Sequence, residues 1–578
     1  MQNFDFDKVT YHRFRDFENE FYIEELIGFD TEAYTSGKPF LFCDSRGRSY
    51  KPETFFHELF TSGEKRLDFA TWNLKYDAGA VLYCLPLKAK QQLWKDEETT
   101  WEGMRFEYLP HKLLRVKLGK MVRNFWDVMP FYGSSLDSAA RTYLHDQKDQ
   151  LPTKKFTHES VRRDMAKITA YCIKDAQLTA RLGNYLLKYL QKFKIYPRTL
   201  YSTASISFQY FRQNCEYVHV WRFWKKYKEL LRFACEAYSG GKFEVTARGS
   251  FTGFEYDISS AYGSEIAKLE NIQYGFVSYS KKFESRSDYG FMRVRIDNRE
   301  GKPIPCTYKQ GNLNLYPAGV FHSTITKNEY IYLRDHGIPC DIKEGWWIKL
   351  DHHERPYEKE VLKLYKIKEE FKTKDKMVSK LAKTMINSFY GKFVQVNEEN
   401  DGTLSAGIGW NPIYGAIITA NMRIRLTELQ AKLGKRCIGV HTDSIITTSE
   451  MESDFLSDGL GGWTQKEMGE GVIIACGIFQ IGSKNANRGF NLSGGHTWKN
   501  LLAKAGNRLT VDMRETRVLS WGGQVSRGKD KDINLFTTLK KRLDLSCETK
   551  RSWGARTTAS DLLKGLEYSA PPIVMESE

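Results

Sequence analysis

None of the ten cysteines stands in a C-x-x-C pair; Cys43, Cys84, Cys172 and the others are scattered singly. That spacing reads against a structural zinc site or an iron–sulfur cluster. It fits buried free thiols in a reducing compartment. No window approaches the ~18 uninterrupted apolar residues of a membrane span, so none is expected. The opening segment, MQNFDFDKVTYHRF, lacks an apolar core, so a secretory signal is not expected either. Internal repeats and low-complexity tracts are missing, and the composition is not that of a disordered chain.

What is present is a chain of 578 residues, 41% hydrophobic and 14% aromatic, too long for one core and therefore expected to form two or more domains. Lysine and arginine number 87 against 71 acidic residues, a net charge of +16. The excess favours a polyanionic partner, of which nucleic acid is the usual one. From charge alone, an incidentally basic soluble protein fits equally well. EELIGFDTEAY and KPFLFCDS read as strands, and DMAKITAYCIKDAQLTARLGNYLLKYLQKF as a helix. A basic, aromatic stretch, VHVWRFWKKYKELLRFACEAY, ends in YSGGKFE, whose paired glycines mark a turn or a close backbone approach. Residues 250–350 read as strand-rich, 357–393 as helical and lysine-rich. YGAIITANMRIRLTELQAKL reads as a further helix, and CIGVHTDSIITT as a hairpin.

Three acidic elements come in order. In FDTEAY, Asp30 and Glu32 sit two apart at a strand end, so both carboxylates share one face. Alone this is weak, since a D-x-E occurs by chance about once or twice in a chain this long. WNLKYDAGAVL follows with Asn73 and Asp77, and AYCIKDAQLTARL with Tyr171 and Asp175, four apart on a helix face. Each has an ordinary explanation as a cap or an exposed polar pair. As a set they match the needs of two-metal phosphodiester hydrolysis: carboxylates to hold ions roughly 3.5–4 Å apart and a group to orient water. Asp30, Glu32, Asp77 and Asp175 supply ligands, and the Tyr171 hydroxyl orients water. The set resembles the 3′–5′ proofreading exonuclease domain of DNA polymerases, which implies a ribonuclease-H-like fold. By the same resemblance Ser135 and Leu136 of SSLDSAA, with Asn73, are expected at the single-stranded primer end.

A second set follows. FEYDISSAYGSEI places Asp257 at a strand end before a polar turn and Tyr262. Lys380, Lys383, Asn387 and Tyr390 recur at i, i+3, i+7 and i+10, one helical stripe. Such a stripe is ordinary as a solvated face. As a nucleotide-binding face it pairs a cation for the triphosphate with a ring for base or sugar. With the HTDS hairpin the trio resembles motifs A, B and C of family B DNA polymerases. Ala261 and Gly263 depart from motif A, KTMINSFYG matches motif B throughout, and YSGG (Tyr238, Gly240, Gly241) matches the linker between exonuclease and polymerase domains. The resemblance runs from Asp30 to about Gly489. It points to the compact, protein-primed-like branch of bacteriophages and mobile elements. VNEENDGTLSAGIGWN is shorter than that branch's insertion between motifs B and C. SKNANRGF stands where a thumb Lys-x-Tyr is expected, with Lys484 and Arg488 as primer-backbone contacts.

The resemblance implies an α/β multidomain architecture: exonuclease domain 1–195, YSGG linker region 196–245, palm 246–355 and 401–475, fingers 356–400, thumb and C-terminal region 476–578. It implies two Mg²⁺ per active site, replaceable by Mn²⁺, held by Asp257 and Asp443 in one centre and by Asp30, Glu32, Asp77 and Asp175 in the other. It implies primer-template DNA, dNTPs and a terminal protein or other priming factor as partners, a monomeric state and the host cytoplasm. Tyr262 is expected to exclude ribonucleotides. His441 takes the place of motif C's first carboxylate. The reading adopted is a modified but live site, with His441 hydrogen-bonding a metal-bound water or serving as a ligand, and with weaker Mg²⁺ binding. The alternatives are an exonuclease whose polymerase site is lost, and a non-catalytic DNA-binding replication protein.

Overall fold

The strand Ile27–Ala33 is buried along almost its whole length because both faces are covered. Phe29 packs with Leu74, Ala78 and Val81 of helix Leu74–Leu82. The opposite face meets helix His158–Lys192, whose start is fixed by a Thr157–Ser160 capping box. Gly28 makes that approach possible: a Cβ there would lie 1.7 Å from the Ala176 carbonyl oxygen. Because alternate residues share a face, Asp30 and Glu32 are turned toward the same helix as Gly28.

The computed structural model describes residues 5–11, 22–150, 156–398, 402–492, 495–518, 521–528, 536–554, 557–570 and 572–576. Ile27–Ala33 belongs to an eight-stranded sheet in the order 49–50, 39–44, 27–33, 66–71, 121–127, 113–118, 104–109, 98–101. Its central three strands are parallel and the others antiparallel.

A second eight-stranded sheet is built around the long strand Ala247–Ile258. Ser444–Thr447 and then Cys437–His441 lie on one side of it, Trp463–Ala475 on the other. Helix Pro412–Leu433 packs across this sheet, capped by the Asn411 side chain, which accepts from Tyr414 N at 3.2 Å. The 357–393 segment forms two helices, Glu358–Glu370 and Lys376–Phe393. Asp375 caps the second, its Oδ1 accepting from Met377 N and Val378 N.

Two expected boundaries differ from the structure. Residues 276–349 do not join the second sheet but form a five-stranded sheet of their own, which Val574–Glu576 completes at one edge. Met292, Val294, Ile296, Phe321 and Trp347 give it a separate core, which is why it stands apart. At the other end, Lys484–Asn487 and Leu566–Tyr568, expected in the thumb, extend the second sheet. One large core nevertheless runs from Leu182 and Leu186 through Phe211 to Leu381, Phe389, Ile413 and Ile417. It welds the domain of the first sheet to the part built around the second. All ten cysteines are free thiols. Among the described residues no helix is long and apolar enough to cross a membrane.

Candidate active sites

In the first domain Asp30, Glu32 and Cys172 bring ligand-capable atoms within 4.8 Å of one another. The Cys172 thiol donates to the Asp30 carbonyl oxygen at 3.6 Å. Asp77, in the first turn of helix Leu74–Leu82, accepts from Thr31 Oγ1 at 2.9 Å. Asp175 reaches in from helix His158–Lys192. Burial and the nearby Asp175 push Asp30 up to about 7. Burial and Asp30 raise both Glu32 and Asp77 well above the usual carboxylate range. Burial raises Asp175 too, against the pull of Lys148. Four carboxylates thus crowd together at a cost in free energy that opposite charge would relieve. Tyr171 lies one turn before Asp175, and burial pushes its hydroxyl up to about 12, keeping it a neutral donor.

Lys148 was not predicted from the sequence. Its ammonium pairs with Asp175 and lies 5.1 Å from the centre of the Tyr171 ring. Nothing in HDQKDQLPTKK marks this lysine among its neighbours; only the fold selects it. The residues expected at a primer end divide. Asn73 holds a left-handed conformation, φ 75°, and its N–H, like that of Leu74, donates to Asp127. Ser135 caps helix Leu136–Ala139, accepting from Ser138 N at 3.2 Å. Leu136 is a correction: at 5% exposure it is part of the core and offers no side chain to a strand.

The second centre is built on two neighbouring strands. Asp257 lies opposite Ser444 in the ladder. Asp443 occupies the turn after Cys437–His441, where Thr442 takes φ 63°. The Asp443 carbonyl accepts from Ile258 N at 2.9 Å, tying the turn to the strand end that carries Asp257. Burial and then Asp257 push Asp443 up to about 6. Burial raises Asp257, opposed by Lys466, Lys484 and Lys383. Lys466 Nζ stands 3.7 Å from Asp257 Oδ2.

Above these carboxylates lies the predicted stripe. Lys383 and Asn387 are exposed. Tyr390 stacks on Tyr262, centroids 4.6 Å apart and planes 12° apart, and its hydroxyl is 2.7 Å from that of Tyr238. Gly241 explains the paired glycines: a Cβ would meet Thr442 Cγ2 at 2.8 Å and Tyr262 Oη at 3.1 Å. At Gly240 a Cβ would meet nothing within 4 Å. Instead, its carbonyl and that of Ser239 accept from Arg423, a buried guanidinium also paired with Glu329 at 2.7 Å. The Lys380 ammonium donates to the Tyr132 carbonyl of the first domain.

Sequence comparison settles the family. The profile described as DNA polymerase type B, organellar and viral, matches residues 107–405, more than half of the chain. The chain belongs to that family of DNA polymerases. It is 23% identical over 537 residues to the DNA polymerase of Acidianus bottle-shaped virus (isolate Italy/Pozzuoli), covering 85% of this chain and 78% of the relative. Its fold is similar to that of phi29 DNA polymerase complexed with primer-template DNA and incoming nucleotides, at 15% identity and a TM-score of 0.60, covering 91% of this chain and 100% of the other. The phi29 complex with single-stranded DNA gives a TM-score of 0.55 at 16% identity over 79% and 87% of the two chains. The architecture is therefore an exonuclease-type domain joined to a right-hand polymerase.

Three further candidate residues, His441, Lys484 and Arg488, make their contacts on the second sheet. His441 packs between Phe479, 4.8 Å away and nearly parallel, and Phe243, 5.1 Å away and edge-on. It is buried, and neither ring nitrogen has a hydrogen-bond partner among the described residues. Burial, with Lys484 and Lys550 nearby, drives its pKa down to about 3, so the ring is neutral. The two flanking rings give it a packing role. Lys484 is held by the buried Glu255, its Nζ 2.5 and 2.7 Å from the two carboxylate oxygens. The Arg488 guanidinium lies 4.8 Å from the centre of the Phe243 ring.

Proposed function

We propose that this family B polymerase extends a primer 3′-hydroxyl with dNTPs on a DNA template at Asp257 and Asp443, and that it trims 3′ ends at Asp30, Glu32, Asp77 and Asp175. The observation that carries the reading is the presence of two separate carboxylate centres, in each of which burial raises the pKa values. Both fit hard divalent cations, Mg²⁺ or Mn²⁺, because their donors are carboxylate oxygens; Cys172 is engaged with a carbonyl. Divalent cations held by Asp257 and Asp443, or by Asp30, Glu32, Asp77 and Asp175, would lower the pKa of the attacking hydroxyl or water and would steady the leaving oxygen.

The chain's own residues supply the rest. Lys383, exposed above Asp257, is placed to neutralise a triphosphate. Tyr262, stacked beneath Tyr390, closes the side where a ribose 2′-hydroxyl would sit. In the trimming centre Tyr171 orients the attacking water, and Lys148 holds Asp175 and the tyrosine ring in place. Basic groups of the C-terminal region hold duplex backbone without reading sequence. Residues 1–195 are assigned to trimming, 356–400 to fingers and the sheet around 247–258 to the palm. The fold likeness to an enzyme complexed with primer-template DNA and nucleotides supports the same partners here.

The test is primer extension with dNTPs in Mg²⁺ and in Mn²⁺, in an Asp30→Ala background so that trimming cannot erase product. Extension that Asp443→Ala abolishes establishes the reading. No extension from a folded protein whose unmutated form degrades single strands would reduce it to a nuclease.

A further inference from the structure

The charge that His441 leaves missing from motif C has a counterpart two strands along the same sheet. Glu255 precedes Asp257 by two residues, so both project from the same face of Ala247–Ile258. The ladder sets Glu255 opposite Ile446 and Asp257 opposite Ser444, and Ser444 Oγ donates to Glu255 Oε1 at 3.4 Å. Glu255 is 1% exposed, and its charge is among those acting on Asp443. We propose that Glu255 is the third acidic group of the polymerase centre, filling the electrostatic role vacated at position 441, and that Lys484 is its removable counter-charge in the DNA-free protein. The inference rests on Asp257 and Asp443 being the cation-holding pair.

The asymmetry of the ion pair supports removal. The Lys484 side chain is 41% exposed while that of Glu255 is 1% exposed. A lysine on a flexible stem can turn toward a nucleic-acid phosphate, whereas the glutamate has nowhere to go. With Lys484 engaged by DNA, three carboxylates face the cations. With Lys484 at home, one of the three is neutralised. His441, packed between two rings and neutral, competes with neither state. A purely structural ion pair makes the opposite prediction: loss of either partner destabilises the sheet and leaves cation affinity alone.

The experiment is Mn²⁺ titration of the full-length protein, without DNA, followed by electron paramagnetic resonance of the free ion. Asp30→Ala and Asp175→Ala are present throughout to silence the other centre. Glu255→Gln is expected to weaken Mn²⁺ binding about tenfold. Lys484→Met is expected to tighten it several-fold, and Lys484→Arg, which keeps the charge, to match the parent. Thermal melts confirm that each variant is folded. If both Glu255→Gln and Lys484→Met match the parent while Asp443→Ala abolishes binding, Glu255 is a structural partner only and the inference falls. If Asp443→Ala also leaves binding unchanged, the reading of Asp257 and Asp443 fails first and takes the inference with it.

Discussion

The two acidic centres of this chain are balanced in opposite ways. In the first domain four carboxylates meet one close cation among the described residues, Lys148, and all four are raised. In the palm, Asp257 and Asp443 stand among Lys466, Lys484 and Lys383, and Glu255 is already paired. Under the proposed assignment of trimming to the first centre and synthesis to the second, the difference matches what each would receive. A hydrolytic centre takes neutral water and one phosphodiester, so its carboxylates must attract cations unaided. A polymerase centre takes a triphosphate, which carries several negative charges and brings cations with it. Lysines there stabilise the incoming substrate, where a richer acidic cluster would repel it.

The comparison breaks most sharply by crossing the two sites. Asp443→Ala is expected to cut primer extension on the order of 10³-fold and leave single-strand degradation intact. Asp30→Ala is expected to do the reverse. Rates of both reactions on both variants check this; one variant that damages both would show that the centres are not independent.

Next in size is the cation that only the polymerase centre offers to substrate. Lys383→Ala is expected to raise KM for dNTP about 10–100-fold, the scale of a lost charge-assisted hydrogen bond, with degradation unchanged. Steady-state extension with varied dNTP measures it. An unchanged KM would return the stripe to a solvated face.

A smaller effect separates the centres by pH. Asp30 titrates near 7 in the folded chain and near 3.8 when unfolded. Between those values the folded state holds a proton that the unfolded state has released, so stability falls as pH rises through this window. Metal-free protein is therefore expected to melt about a degree lower at pH 8 than at pH 6. Ca²⁺ should recover more of the loss at pH 8, where the carboxylates are free to bind it. Asp30→Asn should flatten both trends. Calorimetry at the two pH values decides it.

The parts legible in the sequence are those whose spacing is itself the chemistry. Asp30 and Glu32 share a face because strands alternate, Tyr171 and Asp175 because helices turn. The YSGG glycines announced a close approach, which Gly241 makes against Thr442 and Tyr262. Residues defined by a partner far along the chain were hidden: Lys148 needs Asp175, Arg423 needs Glu329, and Lys380 is claimed by Tyr132. The separate sheet of 276–349 was hidden because strands reveal their alternation but not which strand they pair with. Glu255 lies between these cases. FEYD has the same i, i+2 acidic spacing as DTE, and that regularity was open to reading.

The smallest expected effect concerns His441, and its smallness is the point. If the imidazole were a ligand or bonded a metal-bound water, His441→Phe would cripple extension as Asp443→Ala does. Packed between Phe243 and Phe479, with both nitrogens buried and without a partner among the described residues, it is expected to yield to phenylalanine with extension little changed. Stability should rise by about 1 kcal/mol as buried polar atoms without partners are removed. The gain should also depend on pH. His441 titrates near 3 when folded against 6.5 when unfolded. Below pH 6.5 the unfolded chain therefore binds a proton that the folded chain refuses, and the parent loses stability as pH falls. Phenylalanine has no such proton, so the variant's advantage should widen from pH 7 to pH 5. Paired melts at the two values measure the widening. A constant gap would mean that the folded ring takes up its proton as readily as the unfolded one, and with it that the centre gains a positive charge below pH 6.5 that its packing does not imply.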